Sequence, residues 1–174
     1  VLLPIGVNLK RFTPFKQVNK IERLGFVGSS PKKDWQSIKR PGLFHEICKA
    51  AGVVPVTITN RPNFNAMYND VDAVICTSTA EGLPTYFAEA VACKIPFIST
   101  NVGIVRYYDN VKTYETVDEA VKIINELNSS SITLNEYSSS LHDQMFPHRS
   151  WENILEQYWI PYFKKLYLKN EKQT

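Results

Sequence analysis

The stretch TSTAEGLPTYFAEAVACKIPFISTNVG, residues 77–103, holds two carboxylates, Glu81 and Glu89, placed around a Gly-Leu-Pro turn. Short apolar runs lie on both sides. The pattern predicts strand, loop, helix and strand, the repeating unit of a parallel sheet. A loop acid, a helix start and a second acid further along make a place to hold a polyol beside a phosphate. That points to a nucleotide-sugar site.

Each part has a physical reason. Gly82 relieves backbone strain and lets a ligand approach the main chain. Pro84 suits the first helical turn, where its missing N–H costs nothing. The amides near Thr85, Tyr86 and Phe87 point out of the helix start and can receive a phosphate, the dipole adding ~0.3–1 kcal/mol. Glu89 can accept two hydrogen bonds from a vicinal diol such as ribose, each worth roughly 1.5–3 kcal/mol. An isolated pair of glutamates would read as solvated charges. Here the surrounding AEAVACKIPFIST, residues 88–100, is apolar. A carboxylate inside such a helix needs a partner.

Composition bounds the rest. The 174 residues suffice for one domain with a real core. Apolar residues are 44% and charged residues 21%, ordinary for a soluble globular chain. A net charge of +3 is too small to argue for nucleic acid. No run approaches the ~18 apolar residues of a membrane span, and nothing at the start looks like a signal peptide. The chain opens on Val1 rather than Met, as a fragment would. Cys48, Cys76 and Cys93 lie far apart in apolar segments. They read as reduced core thiols of a cytoplasmic protein, with no metal or disulfide spacing.

The alternation extends along the chain. Residues 21–28 (IERLGFVG) read as a first strand and 37–51 as one helix ended by Gly52. Residues 53–59 (VVPVTIT) read as a second strand, with Pro55 arguing against a central place. A short helix is predicted at 63–69, a third strand at 73–77, a helix at 84–94 and a strand at 95–99. A helical turn at 104–109 and a last strand at 111–115 follow. Thr116 with Glu119 is a capping box opening a helix to Leu127. The Ser-rich residues 129–140 begin as a loop, and 151–167 form an aromatic-rich helix that Pro161 should kink.

Such alternation implies an α/β fold, a doubly wound, Rossmann-like parallel sheet covered on both faces. Ligands of these sheets bind beyond the carboxyl ends of the strands, which singles out loops 28–39, 60–63, 78–85 and 100–103. The domain plan is a lead-in linker at 1–14, a ligand-binding domain at 15–150 and a closing helix with tail at 151–174.

Residues 70–103, DVDAVICTSTAEGLPTYFAEAVACKIPFISTNVG, resemble the donor-site signature of retaining GT-B glycosyltransferases, family 4 in particular. That signature has an aspartate before a strand, Ser-x-x-Glu-Gly, a paired second glutamate, a small-residue helix, a Pro-containing strand and Val-Gly. Asp72, Ser78, Glu81, Gly82, Glu89, Ala90, Ala92, Pro96, Thr100, Val102 and Gly103 carry the match. Residues 4–14 are similar to the family's interdomain linker, and 25–28 and 39–51 to further segments. The resemblance implies one half of a GT-B fold, the C-terminal, nucleotide-sugar-binding domain.

By this resemblance Glu89 binds the nucleotide ribose, and Glu81 contacts hydroxyls of the transferred sugar. Gly82, Leu83, Pro84 and Thr85 lie near the phosphates. Lys39 in KRPGLFHEI is the candidate for the lysine that neutralises the diphosphate leaving group, with Arg40 in reserve. A fixed cation and helix-end amides would stabilise charge developing on that group. Gly28 and Ser29 stand where the family has Gly-Arg against the diphosphate, so that cation is missing from its usual place. Lys32 and Lys33 are nearby substitutes. Further departures are Leu83-Pro84 for Phe-Gly, Lys94 for the glycine closing the donor helix, and Ile104 for a second glycine. Arg61 follows the second strand and reads equally as a stack for the base or as a solvated loop arginine.

Other features are blander. Asp70 and Asp72 form Asp-x-Asp, but their place before a strand favours a strand-entry turn over a metal site. His45, His142 and His148 do not cluster. The resembled enzymes generally need no metal, so no cofactor is expected beyond a nucleoside-diphosphate sugar as donor substrate. The aromatics of the closing helix suit packing on their own domain. A membrane-lying face with Lys164, Lys165 and Lys169, and a crossing to a second domain, are the other readings.

The reading is therefore the donor half of a hexosyltransferase-like enzyme. Its expected partners are a nucleotide sugar and a missing N-terminal acceptor domain, with no nucleic acid. Two alternatives stay open: a non-catalytic nucleotide-sugar-binding or scaffolding module, and a sugar-nucleotide epimerase of GT-B architecture.

Overall fold

The computed structural model describes residues 4–28, 33–58, 68–82 and 84–171. Five strands form one parallel sheet: β1 (Arg23–Val27), β2 (Val54–Ile58), β3 (Ala73–Cys76), β4 (Phe97–Ser99) and β5 (Lys112–Thr113). Their spatial order is β2-β1-β3-β4-β5, with Gly25 opposite Val56, Leu24 opposite Ala73 and Val74 opposite Phe97. The central β3 reads AVIC and is buried throughout, because helices cover both faces and no polar alternation is needed. Pro55 sits on the edge strand β2, as its missing N–H requires. The predicted α/β Rossmann-like fold is the observed one.

Two helix pairs flank the sheet. Helix α2 (Pro41–Ala51) packs on α4 (Val117–Leu127), and α3 (Thr85–Ala92) packs on α5 (Ser131–Met145). Phe44, Ile47 and Cys48 bury one face of α2, and Ala120, Ile124 and Leu127 bury the facing stripe of α4. Glycine 52 ends α2 at φ 67°. The capping box of α4 is formed in full: Thr116 accepts from the Glu119 amide, and Glu119 accepts from the Thr116 amide.

Three segments differ from their predicted form. Residues 37–51 are not one helix: α1 (Lys33–Lys39) ends, Arg40 turns to φ 51° and ψ 59°, and α2 begins at Pro41. Proline disfavours helical geometry in the residue before it, so Arg40 breaks the run. The Ser-rich segment is helical almost from its start. Ser130 caps α5 by accepting from the Thr133 amide, and Ser138 returns its hydroxyl to the Leu134 carbonyl at 2.9 Å. The closing segment is α6 (Trp151–Ile154), a π-helical stretch (Leu155–Trp159) and α7 (Ile160–Glu171). Pro161 lacks the N–H that would bond one turn back, so the ladder widens ahead of it. Beyond Ile154, Leu155, Tyr158, Ile160, Phe163, Leu166, Tyr167 and Leu168 are exposed. The expected packing of that helix on its own domain is therefore only partial past its first turn, where Trp159 and Tyr162 stay half-buried. The helix predicted at 63–69 lies, through residue 67, outside the described residues.

The leading segment is docked onto this end of the chain. Val7 bridges to Ser150, donating to the Arg149 carbonyl at 2.8 Å and accepting from the Trp151 amide at 3.0 Å. A Cβ on Gly6 would lie 2.7 Å from the Trp151 Cα, so glycine allows this approach. The Trp159 indole donates to the Pro4 carbonyl at 2.9 Å.

Candidate functional site

The order of the strands reverses between β1 and β3, the place where open parallel sheets bind ligands. The loops after these strands are laced together. The Thr77 hydroxyl donates to the Lys39 carbonyl, and the Thr79 amide to the Ile38 carbonyl at 2.8 Å. The Arg40 guanidinium donates to the Thr77 carbonyl at 2.5 Å and the Ser78 carbonyl at 3.5 Å. Thr100 donates its hydroxyl to the same Ser78 carbonyl at 2.6 Å. Gly103, at φ 57°, lies so close that a Cβ would sit 2.6 Å from the Gly82 carbonyl oxygen. The Ile104 amide donates to that oxygen at 3.1 Å. The Val-Gly of the sequence motif thus holds the Glu81–Gly82 loop from behind.

Within that frame Glu81 is the centre of a polar cluster. Its Oε1 pairs with the Lys39 ammonium and accepts from Ser78 Oγ at 2.7 Å and the Tyr86 hydroxyl at 3.3 Å. Lys39 also lies 5.5 Å from the Tyr86 ring centroid. The Lys39 and Glu81 side chains are only 18% and 12% exposed, so neither is a solvated surface charge. Burial pushes the Tyr86 hydroxyl well above its ordinary range, and Glu81 adds to the rise. Tyr86 therefore stays a neutral donor to the carboxylate.

Glu89 is prepared differently. It projects from α3, and its Oε2 accepts from the Tyr68 hydroxyl at 2.7 Å. Tyr68 is wholly buried, and Phe12 of the leading segment packs edge-on against it at 6.2 Å. Burial raises the Glu89 carboxyl above its ordinary range, while the Tyr68 hydrogen bond and the charge of Arg11 oppose the rise. Two hollows separate the acids. Glu89 lines a cavity of about 280 Å³ together with Arg11, Thr85, Tyr108 and Arg149. Glu81 and Gly82 line a broader hollow of about 1090 Å³ with Arg106, His148 and Arg149. Ile5, Ile104 and Arg149 belong to both walls, so the hollows adjoin.

The remaining sequence candidates fall as follows. Arg40 is engaged as a loop brace. Gly28 donates its amide to the Ile58 carbonyl at 3.2 Å, and Trp35 lies over it, 2.3 Å from where a Cβ would be. Gly82 has no left-handed φ, and a Cβ there would meet nothing within 4 Å. The expected relief of strain is therefore absent, while the open space in front of it remains. Pro84 is not in the first turn: it precedes α3 in extended geometry, φ -67° and ψ 99°, and its carbonyl accepts from the Phe87 amide at 3.0 Å. No side chain caps α3 and no acid lies in its first turn, so its start is open to an anion. Ser29, Arg61 and Leu83 lie outside the described residues.

Asp72 acts as the strand-entry reading expected. Its Oδ2 accepts from the Glu22 and Arg23 amides at 3.1 and 2.9 Å, and its Oδ1 pairs with Lys16 at 3.1 Å. Among the described residues no three His, Cys, Asp or Glu side chains converge as metal ligands. The side chains of Tyr68 and Tyr86 on the two acids, and Arg11 and Arg149 in the hollow walls, are features that sequence reasoning missed, whereas Ser78 had a local signal three positions before Glu81.

The five-stranded parallel sheet with its flanking helices is an α/β, Rossmann-like fold that matches solved GT-B glycosyltransferase structures. The sequence model of the glycosyl transferases group 1 family matches residues 9–128, and the chain belongs to that family. No curated protein sequence matches it. Among solved structures it is similar to S. aureus TarM in a complex containing UDP, at 16% identity and TM-score 0.68, over 87% of this chain and 37% of that one. It is similar to Anabaena HepE in complex with UDP, at 14% identity and TM-score 0.69, over 91% of this chain and 56% of that one. A third similar structure is the C-terminal domain of the group 1 protein LpcC from Francisella tularensis, at 17% identity and TM-score 0.61, over 84% of this chain and 100% of that one. The chain thus spans 37% and 56% of the first two.

Proposed function

We propose that this chain is the donor-binding, C-terminal half of a retaining GT-B glycosyltransferase. It takes a nucleoside-diphosphate sugar, from which a hexosyl group passes to an acceptor held by a separate N-terminal domain. The observation that carries the reading is the pair of differently prepared glutamates in adjoining hollows at one end of the sheet. Glu89, oriented by Tyr68, accepts the ribose diol. The diphosphate lies at the open start of α3. Glu81, held by Ser78, Tyr86 and Lys39, meets hydroxyls of the sugar. Lys39 and main-chain amides offset the charge that grows on the departing diphosphate, in a setting shielded from water. The reaction runs without a bound metal. Three buried thiols fit the reducing cytoplasm. The presence of UDP in the TarM and HepE structures makes UDP the first probe.

A binding module without transfer is the second reading. It is favoured by the Lys39 charge being engaged by Glu81 and by Trp35 over Gly28. Thermal unfolding with UDP, GDP, ADP and their sugars tests both readings, since a native-state ligand raises the melting temperature. One nucleotide should protect the native chain and not Glu89→Ala. Equal protection of both, or of neither, contradicts the site. Sugar transfer by the full-length protein then separates enzyme from module.

A further inference from the structure

We propose that Arg149 is the cation that holds the diphosphate between the two hollows, in place of the arginine that Ser29 replaces. The inference rests on the nucleotide-sugar reading above. A nucleoside-diphosphate sugar has its charged linkage in the middle, with ribose on one side and sugar on the other. With ribose at Glu89 and sugar at Glu81, the linkage crosses from the smaller hollow to the larger. Among the described residues, three belong to both walls, and Arg149 is the charged one; the others are Ile5 and Ile104. Arg11 lines only the smaller hollow, and Arg106 and His148 only the larger.

The guanidinium is fixed in a way that suits this task. Its Nε donates to the Tyr108 hydroxyl at 3.1 Å. Its own carbonyl accepts from the Val7 amide at 2.8 Å, so the backbone beneath it is anchored to the leading segment. A planar, always charged fork held at one nitrogen retains donors that match phosphate oxygens. Among the described side chains of the β1–α2 connection, Arg40 braces two carbonyls and Lys39 pairs with Glu81.

The test is a ladder of ligands on the full chain. Uridine, UMP and UDP are titrated calorimetrically, with the guanosine and adenosine series beside them, into the native chain, Arg149→Gln, Arg149→Lys, Tyr108→Phe and Glu89→Gln. Arg149→Gln should weaken the diphosphate by about 10- to 100-fold and leave the nucleoside unchanged. Arg149→Lys should recover part of the loss, and Tyr108→Phe should lose less than Arg149→Gln. An equal change for nucleoside, monophosphate and diphosphate, or no change for any, overturns the role of Arg149. If Glu89→Gln still loses affinity in that case, the ribose site stands without it. If no diphosphate binds the native chain, or Glu89→Gln binds as the native chain does, the underlying site falls first.

Discussion

The Tyr68 hydroxyl and the Glu89 carboxylate meet at 2.7 Å, a fully buried donor aimed at an acid 21 positions further along the chain. The bond turns one carboxylate oxygen inward and fixes the orientation of the other. It also favours the charged form of the acid, opposing the upward push of burial on its carboxyl. Tyr68→Phe keeps the ring and removes the donor. We predict a stability loss of about 2 kcal/mol in chemical denaturation, the usual worth of a bond to a charged group. Nucleotide affinity should also fall off at a higher pH than in the native chain, because Glu89 then protonates more readily. A uniform loss across pH would mean that Tyr68 serves packing alone.

Glu89 itself should tie stability to pH. Its ordinary value is 4.5, and burial raises it in the folded chain. A carboxyl raised on folding contributes stability that is complete below its unfolded value and lost as pH rises through the folded value. Glu89→Gln removes that loss while keeping shape and an acceptor for Tyr68. The variant should melt higher than the native chain at neutral pH, with the gap closing below the ordinary carboxylate value. A gap that is constant with pH would place the acid in water.

Lys39 and Glu81 should behave as a buried pair. Lys39→Met leaves a mostly buried carboxylate with only hydroxyl partners, at a cost of about 3 kcal/mol. Adding Glu81→Gln should restore most of that stability but not nucleotide-sugar binding. Urea melts of the two single variants and the double variant measure the coupling. Additive losses would show that the pair is independent in solution.

Gly103 and Gly82 should separate folding from binding. Gly103→Ala forces a Cβ against the Glu81–Gly82 backbone at φ 57°, so it should destabilise by about 1–3 kcal/mol and weaken ligand binding with it. Gly82→Ala meets open space and should change stability by no more than about 0.5 kcal/mol. If phosphate approaches this stretch of main chain, Gly82→Ala should still lower diphosphate affinity. Loss of folding in Gly82→Ala would contradict the assigned role.

Strands β1 to β4 were legible because each lies in a short, largely apolar run bounded by turn residues, and the edge place of β2 followed from Pro55 alone. The Glu81–Glu89 spacing, the Thr116 capping box and the Gly52 stop are local signals of the same kind. Other features were hidden because they depend on distant residues. Arg40 looks like any loop arginine until the Thr77 and Ser78 carbonyls arrive beside it. Tyr68 and Arg149 belong to no motif, and only the folded chain brings them to Glu89 and to the junction of the hollows. The helix starting at Ser131 was masked by a serine-rich composition that usually marks loops. Exposure of Phe163 and Tyr167 could not be read from spacing, since an apolar stripe looks the same whether or not something covers it.

The central claim is that Glu89 grips neighbouring hydroxyls of a ribose. The most direct measurement compares a nucleoside diphosphate with its analogue lacking both ribose hydroxyls, titrated into the native chain and into Glu89→Gln. The native chain should bind the analogue about tenfold or more weakly, and Glu89→Gln should distinguish the two much less. Equal affinity of the native chain for both ligands would contradict the claim.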